Sequence, residues 1–546
     1  MSRAEILARP IAPFAERTRL IEAEALPRNI GALLDAAADA VPDHAALHFI
    51  DSGETFTYRA LRDDVARLVN GLLSIGVGRG THVAIMLPNI PEWPLTWLAA
   101  ARIGAVVVPV NTRNTARELH YALDDAEADY LVIHRDFLPV LDAIAAPPPR
   151  IAGRVIVAGG EPGPHRRWRD LVEGFAASLP SLPEPGLDDL VNIQYTSGST
   201  GYPKGCLLSH RYWLQCAKAH SAGDGQSYPR ALAPTPFFYM TPQWLVLFAF
   251  FQRGTLYVAA RQSGSKFMDW VRRYRINFCL FPGAAFKQPP HPLDAENELT
   301  RVSIYGFPRQ AQAELERRFD IVAREAFGMT EIGAGLSVPL EAEDMTGSGS
   351  VGRPAPFREC RIADPAGNTL PPGEVGELLF RGPGMLQGYY RNSAATAAAF
   401  HGEWFRSGDL ARQDDRGNYY IVGRAKDMIR RAGENIAAFE VEQVAGSLKG
   451  IAEVAAVAVP DDLRGEEVKI FVVLQQGYTR QTLGPEAIWA HCAAGLASFK
   501  VPRFIEYRDA PLPRTGSDKI DKVALKQAAA DPRAGCADRL EKVGAR

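Results

Sequence analysis

The stretch of sequence that decides the fold is residues 82–110, HVAIMLPNIPEWPLTWLAAARIGAVVVPV. Residues 82–87 and 106–110 are continuous apolar runs, the pattern of strands that are buried on both faces. The residues between them, 91–105, have a helical pattern with prolines in the first turn, where a proline costs no hydrogen bond. Strand, helix and strand in this order predict a parallel sheet covered by helices.

A further helix is predicted before this stretch. Leu61, Val65, Leu68 and Leu72 recur at helical spacing, and Thr57 stands where an N-cap residue is expected. Because helices alternate with apolar strands, the sequence predicts an α/β fold.

The length of 546 residues is too great for a single hydrophobic core, so more than one domain is expected. Residues 1–425 are predicted to form a large N-terminal domain of layered β-sheets with covering helices. Residues 426–535 contain the short strands EVAAVAV, KIFVVL and RFIEY with helices between them. They are predicted to form a small C-terminal α+β domain, followed by a flexible tail at 536–546.

The composition excludes several classes of partner. Lys plus Arg (61) nearly cancels Asp plus Glu (63), with no long run of one sign, so no nucleic-acid partner is expected. The cysteines are scattered without a C-x-x-C pair, which argues against a disulfide framework or a zinc site and fits a cytoplasmic location. The most apolar stretch, 237–251, is too short to span a bilayer, so no integral membrane segment is expected.

Residues 195–205, YTSGSTGYPKG, form a loop rich in glycine and hydroxyl groups. Such a loop is costly to order, which indicates that its backbone approaches a ligand, most simply a phosphate. The preceding LVNIQY is strand-like and Ser209 can cap a following helix, so the loop is predicted to join a strand to a helix, as phosphate loops do. It is not a Walker A loop, because Lys204 follows a proline and precedes Gly205.

Five further motifs follow the loop in order: AFGMTE (326–331), GELLFRGPGMLQGYY (376–390), WFRSGDL (404–410), GRAKDMIRRAGENI (423–436) and PLPRTGSDKIDK (511–522). Together with the loop they closely resemble the adenylate-forming superfamily of acyl-CoA synthetases, adenylation domains and luciferases. The resemblance covers about residues 29–525. Within that superfamily, GENIAAFEVE and LASFKVPRFIEYRDAPLPRTG are most similar to bacterial crotonobetaine/carnitine-CoA ligases.

The resemblance implies an ATP-dependent acid:CoA ligase that uses ATP, Mg²⁺ and coenzyme A. The enzyme would form an acyl-adenylate from a small carboxylic acid and then an acyl-CoA, releasing pyrophosphate and AMP. One alternative is a stand-alone adenylation enzyme that loads a separate carrier protein, and another is a nucleotide- and acyl-binding pseudoenzyme. The sequence leaves the acid open among betaines, aryl, alicyclic and fatty acids, and it leaves a homodimer open.

The resemblance also assigns roles to residues in the large domain. Lys204 would steady the loop, Thr330 would hold the α-phosphate and Glu331 would ligate Mg²⁺. The β and γ phosphates would be bound by Thr196, Ser197, Gly198, Ser199 and Thr200. The alternatives are ordinary solvation for the loop residues and a helix cap for Thr330 and Glu331.

Further roles fall near or beyond residue 409. Asp409 would bind the ribose and Arg424 the ribose or a phosphate, although an ion pair between them could be purely structural. Lys519 would bridge the α-phosphate and the substrate carboxylate. Lys426 would be the hinge about which the small domain rotates between the half-reactions, and Gly433 would let the pantetheine arm pass.

The acyl pocket is expected to be aromatic, lined by Phe238, Tyr239 and Trp244 together with Phe237, Met240 and Phe281. Such walls could hold a cation or a ring, while core packing is the alternative for most of them. The sequence departs from the family at three places. Tyr239 stands where a histidine is usual, the adenine segment reads YGFPRQ (305–310), and Asp518 replaces the glycine before Lys519.

Overall fold

The computed structural model describes residues 3–196, 203–432, 434–515 and 519–540. Within them the α-helices are α1 Arg3–Leu7, α2 Phe14–Ala23, α3 Ile30–Ala40, α4 Tyr58–Ser74, α5 Glu92–Ile103, α6 Ala116–Asp125, α7 Leu138–Asp142, α8 His210–Ala222, α9 Met240–Gln252, α10 Phe267–Arg273, α11 Gly283–Phe286, α12 Arg309–Phe319, α13 Ser393–Ala398, α14 Ala438–Gly446, α15 Pro485–Gly495 and α16 Lys522–Gln527.

The strands in the same part of the chain are β1 Ala45–Phe49, β2 Thr55–Thr57, β3 His82–Met86, β4 Val106–Pro109, β5 Tyr130–His134, β6 Val155–Ala158, β7 Arg166–Arg167, β8 Leu190–Thr196, β9 Lys204–Ser209, β10 Arg230–Ala233, β11 Thr255–Val258, β12 Phe278–Leu280, β13 Arg301–Ile304, β14 Ala323–Met329, β15 Gly333–Ser337, β16 Arg353–Pro354, β17 Glu359–Ala363, β18 Gly376–Arg381, β19 Phe400–His401, β20 Trp404–Gln413, β21 Tyr419–Arg424, β22 Met428–Arg431, β23 Glu434–Ala437, β24 Ile451–Asp461, β25 Gly465–Leu474, β26 Phe504–Tyr507 and β27 Ala537–Asp538.

Two largely parallel sheets carry the N-terminal part of the chain. Sheet A has the order β16-β15-β14-β13-β12-β10-β11-β1-β2, and sheet B has the order β7-β6-β5-β3-β4-β8-β9. In sheet B all neighbours are parallel except β8 and β9, which are antiparallel. Crossover helices between successive parallel strands explain why these strands are apolar on both faces.

Two smaller sheets lie later in the chain. Sheet C has the order β17-β18-β20-β19 with β21 on β20, and sheet D has the order β23-β22-β25-β26-β27 with β24 on β25. Helices α14 and α15 contribute Val441, Ala445, Ile488 and Cys492 to one apolar core with sheet D. This part has the α+β character that was predicted.

The chain divides into two compact units. The first contains Met1–Phe307, Ala311–Glu359 and Phe380–Phe400, and the second contains Pro308–Gln310, Cys360–Leu379 and His401–Arg546. The α/β prediction is confirmed. The expected domain boundary after residue 425 lies inside the second unit and stays a prediction.

Residues 82–110 fold as expected. Strand β3 pairs in parallel with β4, and the helix between them, α5, is buried along its whole length from Trp93 to Ile103. Gly104 ends that helix with φ +75°, a left-handed conformation that glycine adopts without strain. The predicted cap of α4 is also present, since the Thr57 side chain accepts a hydrogen bond from the Ala60 amide at 3.1 Å. No helix within the described residues is both long and apolar enough to cross a bilayer.

Strand β14 carries two adjacent buried charged residues with different environments. Arg324 is fully buried and donates to Glu316 at 2.7 Å and to the Leu340 carbonyl at 2.7 Å. Glu325 is 8% exposed and accepts the Gly306 amide at 2.5 Å. Burial raises the pKa of Glu325 to about 8, against the opposing effect of its backbone hydrogen bonds. Arg324 is thus a buried ion, and the Glu325 carboxyl is mainly protonated and neutral below about pH 8.

We predict that Glu316→Ala lowers the free energy of unfolding of the first unit by about 3 to 5 kcal/mol, because it leaves the buried Arg324 cation unpaired. The control is Asp43→Ala, which removes the exposed partner of Arg59 and should cost less than about 1 kcal/mol. Urea unfolding followed by tryptophan fluorescence measures both. Equal losses in the two variants would contradict the argument.

The Glu325 carboxyl should make stability depend on pH. Its pKa is higher in the folded chain than the unfolded value near 4.5, so the folded state keeps a proton that the unfolded state has lost. Stability from this group is therefore complete below pH 4.5 and falls as pH rises to about 8. Relative to wild type, Glu325→Gln should gain about 1.4 kcal/mol for each pH unit in that window. Unfolding at pH 5.5 and 7.5 tests this, and a constant difference between the two proteins would refute it.

Candidate active site

The glycine-rich loop is flanked by two strands. Strands β8 and β9 are antiparallel with Thr196 opposite Lys204, so the predicted strand-to-helix topology is wrong. The reason is that Cys206 and Leu208 are buried while Leu207 is only partly buried, which suits a strand, and α8 begins after it. The predicted Ser209 cap of α8 is confirmed by its hydrogen bond from the Tyr212 amide at 3.3 Å. The phosphate contacts assigned to Ser197, Gly198, Ser199 and Thr200 lie outside the described residues.

Both ends of the loop are fastened to α6. The Tyr195 hydroxyl donates to Asp125 at 2.5 Å, and the Tyr121 hydroxyl donates to the Pro203 carbonyl at 3.0 Å. Gly205 is required for close approach, since a Cβ there would lie 2.5 Å from a methyl carbon of Ile193. The ends of the loop are therefore fixed by tertiary contacts.

Thr330 and Glu331 lie in the turn between β14 and β15, where Met329 faces Gly333 across the antiparallel pair. The alternative that they cap a helix is therefore wrong. Glu331 is 8% exposed. A carboxylate at the tip of a hairpin can be held in one position while its oxygens still meet a ligand.

Tyr389 joins this turn to the glycine-rich loop. Its hydroxyl donates to Glu331 at 3.2 Å, and the Lys204 ammonium lies 5.1 Å from the centre of its ring. Burial, followed by the charge of Glu331, raises the pKa of Tyr389 and keeps the phenol protonated as a donor. Sequence reasoning missed Tyr389 as an individual residue, although the motif ending in GYY contains it.

The residues at this turn fit Mg²⁺ held jointly with nucleotide phosphates. Within the described residues there is no group of three His, Cys, Asp or Glu side chains that could hold a metal by themselves. Mg²⁺ commonly uses one or two carboxylates and takes its remaining oxygens from phosphates and water. The Glu331 carboxylate supplies the one protein ligand that such a site needs.

In the second unit, Asp409 and Arg424 form a cross-strand pair. They face each other in the β20–β21 register, and Arg424 Nε lies 2.7 Å from Asp409 Oδ1. The Asp409 side chain is 5% exposed and that of Arg424 is 39% exposed. The structure thus brings together the two residues predicted to bind the ribose. The predicted hinge residue, Lys426, follows in the exposed turn Ala425–Asp427.

The backbone of Lys519 is bonded to the residues just before 516–518, which lie outside the described residues. Its carbonyl accepts the Thr515 amide at 2.8 Å, and Arg514 and Ile520 form a β-bridge beside it. Asp521 then caps α16. The Lys519 side chain is exposed. Asp518 and Gly433 lie outside the described residues.

The predicted aromatic wall of the acyl pocket stays a prediction, and some of its members pack in the apolar interior. The rings of Phe238 and Tyr239 are 4.5 Å apart at the start of α9. Phe237 is instead fully buried against Trp93 at 5.0 Å, and Phe281 belongs to the apolar core around α10 and β13. Phe237 and Phe281 are therefore surrounded by other apolar side chains, as in the core-packing alternative.

Two residues near the wall were missed by sequence reasoning. The ring of His220 stacks on Trp244 at 4.2 Å with 17° between the planes. Glu325 accepts a hydrogen bond from the amide of Gly306, which belongs to the segment 305–310 that was expected to contact adenine. The sequence does contain a signal for Glu325, which is a charged residue inside an otherwise apolar strand. It contains no signal for His220, because the partner of that residue lies on another helix.

Comparison with known proteins matches two family models, AMP-binding enzyme over residues 34–390 and AMP-binding enzyme C-terminal domain over residues 440–519. A crotonobetaine/carnitine–CoA ligase from Citrobacter koseri is 31% identical, over 91% of this chain and 99% of the relative. A feruloyl-CoA synthase from Amycolatopsis is 34% identical, over 87% of this chain and 94% of the relative.

Among solved structures, ATP-bound MatB from Rhodopseudomonas palustris aligns with a TM-score of 0.82 and 26% identity, covering 92% of this chain and 99% of that one. The similarity extends over both parts of the chain, so the predicted two-domain adenylate-forming fold is confirmed. The chain therefore belongs to the AMP-binding enzyme family, among the acyl-CoA ligases of the adenylate-forming enzymes.

Proposed function

We propose that the protein is an ATP-dependent acid:CoA ligase that works in two half-reactions. In the first, a carboxylate oxygen of the substrate attacks the α-phosphorus of ATP, and pyrophosphate leaves with the electrons of the broken P–O bond. In the second, the sulfur of coenzyme A attacks the acyl carbon, AMP leaves, and the thiol proton is released. Both steps depend chiefly on positioning and on compensation of negative charge.

The observation that carries the proposal is the contact of Glu331, Tyr389 and Lys204. It places a carboxylate, a hydrogen-bond donor and a cation together beside the end of the glycine-rich loop. Mg²⁺ would be held there by Glu331 together with the phosphates, and when bound it would offset phosphate charge. Thr330 lies next to Glu331 in the turn and is proposed to hold the α-phosphate.

The second unit supplies the other proposed groups. Asp409 is nearly buried and, with Arg424, is proposed to orient the ribose. Lys519 has an exposed side chain and a carbonyl bonded to the Thr515 amide, and it is proposed to neutralise the α-phosphate and the substrate carboxylate during adenylation. Lys426 as hinge, Gly433 as passage for pantetheine, a homodimer and a cytoplasmic location remain predictions.

Coenzyme A as acceptor is supported by the two relatives, which are named for CoA thioester formation. Their names also give two different kinds of acid, a betaine and an aryl acid. Loading of a carrier protein is the second candidate. Incubation of the protein with ATP and an acid panel, followed by AMP release with coenzyme A or with a carrier protein, separates the two candidates.

We predict that Lys519→Ala lowers the rate of adenylation, measured as pyrophosphate release, by at least about a hundredfold, because two anions then meet without its charge. Transfer from supplied acyl-adenylate to coenzyme A should fall by less than about threefold. The control is Lys526→Ala, an exposed lysine on α16 that should change neither rate. Equal loss of both half-reactions in Lys519→Ala would contradict a role confined to adenylation.

Tyr389→Phe tests the Glu331 contact separately. The phenyl ring keeps its position under Lys204 but loses the hydroxyl that orients Glu331, so kcat/KM for MgATP should fall about tenfold, most clearly at limiting Mg²⁺. The matched control is Tyr390→Phe, whose hydroxyl bonds to Glu127 instead and which should stay within about twofold of wild type. Similar values for the two variants would show that the Tyr389 hydroxyl has no part in ATP use.

A further inference from the structure

Three buried amide side chains of the first unit are bonded to one another: Asn192 and Gln194 on β8, and Gln243 on α9. Asn192 and Gln243 are fully buried, and Gln194 is 4% exposed. Asn192 Nδ2 donates to Gln243 Oε1 at 2.9 Å and to Gln194 Oε1 at 3.4 Å. Gln243 Nε2 donates to Gln194 Oε1 at 3.2 Å. These three side chains form the amide network, in which each buried amide has partners for its polar atoms.

The indole of Trp97 fixes the direction of every hydrogen bond in the amide network. Trp97 Nε1 lies 2.9 Å from Asn192 Oδ1, and an indole nitrogen can only donate. The Asn192 Nδ2 group must therefore be the donor to both glutamines, and their Oε1 atoms must accept. The Nε2 groups of Gln194 and Gln243 are then available as donors to other parts of the chain.

These two Nε2 groups donate to three successive backbone carbonyls. Gln243 donates to the Phe237 carbonyl at 3.0 Å and to the Tyr239 carbonyl at 3.1 Å. Gln194 donates to the Phe238 carbonyl at 2.8 Å. Residues 237–239 lie between β10 and α9, outside both elements. The amide network thus supplies the partners that a helix or a sheet supplies to buried carbonyls elsewhere.

The other end of the amide network belongs to the strand that leads into the glycine-rich loop. The register of β8 with β9 is regular from Asn192 to Thr196. Because side chains alternate along a strand, Asn192, Gln194 and Thr196 are on the same face of β8. Segment 237–239 is therefore joined by side chains to a point two residues before Thr196, the last residue of the strand.

We propose that Gln194 and Gln243 are positioning residues for adenylation, because they fix segment 237–239 relative to the strand end that carries Thr196. The proposal rests on the acid:CoA ligase function proposed above, in which Thr196 would bind a phosphate of ATP and Phe238 and Tyr239 would border the acid. The rate of reaction between two bound groups depends steeply on their separation, and a misplacement of about 1 Å can cost about a hundredfold.

A network that only stabilises the fold would give a loss of stability without a specific loss of rate. Gln312 provides the matched comparison, because it is also a buried glutamine, 5% exposed, that joins two backbone groups. It donates to the Ala323 carbonyl at 3.1 Å and accepts the Gly347 amide at 2.7 Å. Methionine has nearly the length of glutamine but has no donor, so Gln194→Met and Gln312→Met remove comparable hydrogen bonds.

The test measures pyrophosphate release with MgATP and one of four acids, γ-butyrobetaine, ferulate, cyclohexanecarboxylate or octanoate, whichever gives the highest rate with wild type. Gln194→Met should lower kcat by at least about thirtyfold and change KM for MgATP by less than about threefold. The reason is that the contacts of Tyr389 with Lys204 and Glu331 lie outside the amide network. Gln312→Met should keep kcat within about threefold of wild type, even where thermal unfolding shows similar losses of stability in both variants.

Gln194→Glu tests the hydrogen bond to the Phe238 carbonyl directly, because a carboxyl of the same length can donate to that carbonyl only when it is protonated. Burial raises the pKa of such a carboxyl. Compared with wild type at the same pH, kcat of Gln194→Glu should be within about threefold at pH 5.5 and at least about tenfold lower at pH 8.5. The deficit of Gln194→Met should be the same at both pH values, since methionine does not titrate.

A kcat of Gln194→Met within about threefold of wild type would overturn the positioning role. So would a deficit of Gln194→Glu that is equal at the two pH values. If Gln194→Met does not fold, the pH comparison of Gln194→Glu decides the matter alone. Both of these results leave the ligase function standing, because wild type still releases pyrophosphate. No release by wild type with any of the four acids would overturn the ligase function and the positioning role together.

Discussion

In the first unit, the position of the Glu331 turn relative to strand β9 depends on backbone hydrogen bonds made by residues 386–390. The Tyr390 amide donates to the Gly205 carbonyl at 2.8 Å, and the Leu386 amide donates to the Glu331 carbonyl at 2.8 Å. Gly205 belongs to sheet B and the Glu331 turn extends from sheet A. One short segment therefore ties together the two sheets that carry the glycine-rich loop and the acidic turn. The same segment contains Tyr389, the residue that contacts both Lys204 and Glu331.

The electrostatics of the site follow from how each charge is compensated. Glu331 receives a hydrogen bond from Tyr389, whose ring lies under the Lys204 ammonium, so its carboxylate has both a donor and a nearby cation. Among the described residues no cation bonds to Glu325, which accepts backbone amides of Gly306 and Phe307 and has a pKa of about 8. In Glu325, desolvation outweighs the amide hydrogen bonds, so this acid keeps its proton to a higher pH than an exposed glutamate does.

The elements that depend on local sequence could be predicted, and those that depend on distant partners could not. Helix α5 with its flanking strands and the caps at Thr57 and Ser209 follow from periodicity and from short-range hydrogen bonding. Strand β9 was missed because its partner β8 lies on the other side of the glycine-rich loop. The contacts of Tyr389 and His220 were missed for the same reason. Tyr389 contacts Glu331 and His220 stacks on Trp244, and each partner is distant along the chain. Lys204, Glu331, Asp409 and Arg424 were singled out through ordered motifs, and their roles stay predictions. The contacts of Lys204 and Glu331 with Tyr389, and of Asp409 with Arg424, are not revealed by the motifs alone.

Two polar rings of the first unit keep one charge state over the physiological pH range. His220 has a pKa of about 3, and burial raises the pKa of Tyr305, so neither of these side chains changes charge between pH 5 and 8. Both keep the same hydrogen-bonding pattern over that whole range. Glu325, at the Gly306 segment, is the nearby group whose pKa of about 8 falls at the edge of it. A change in activity near pH 8 would therefore be assigned to Glu325 rather than to His220 or Tyr305, because neither of those two side chains titrates there.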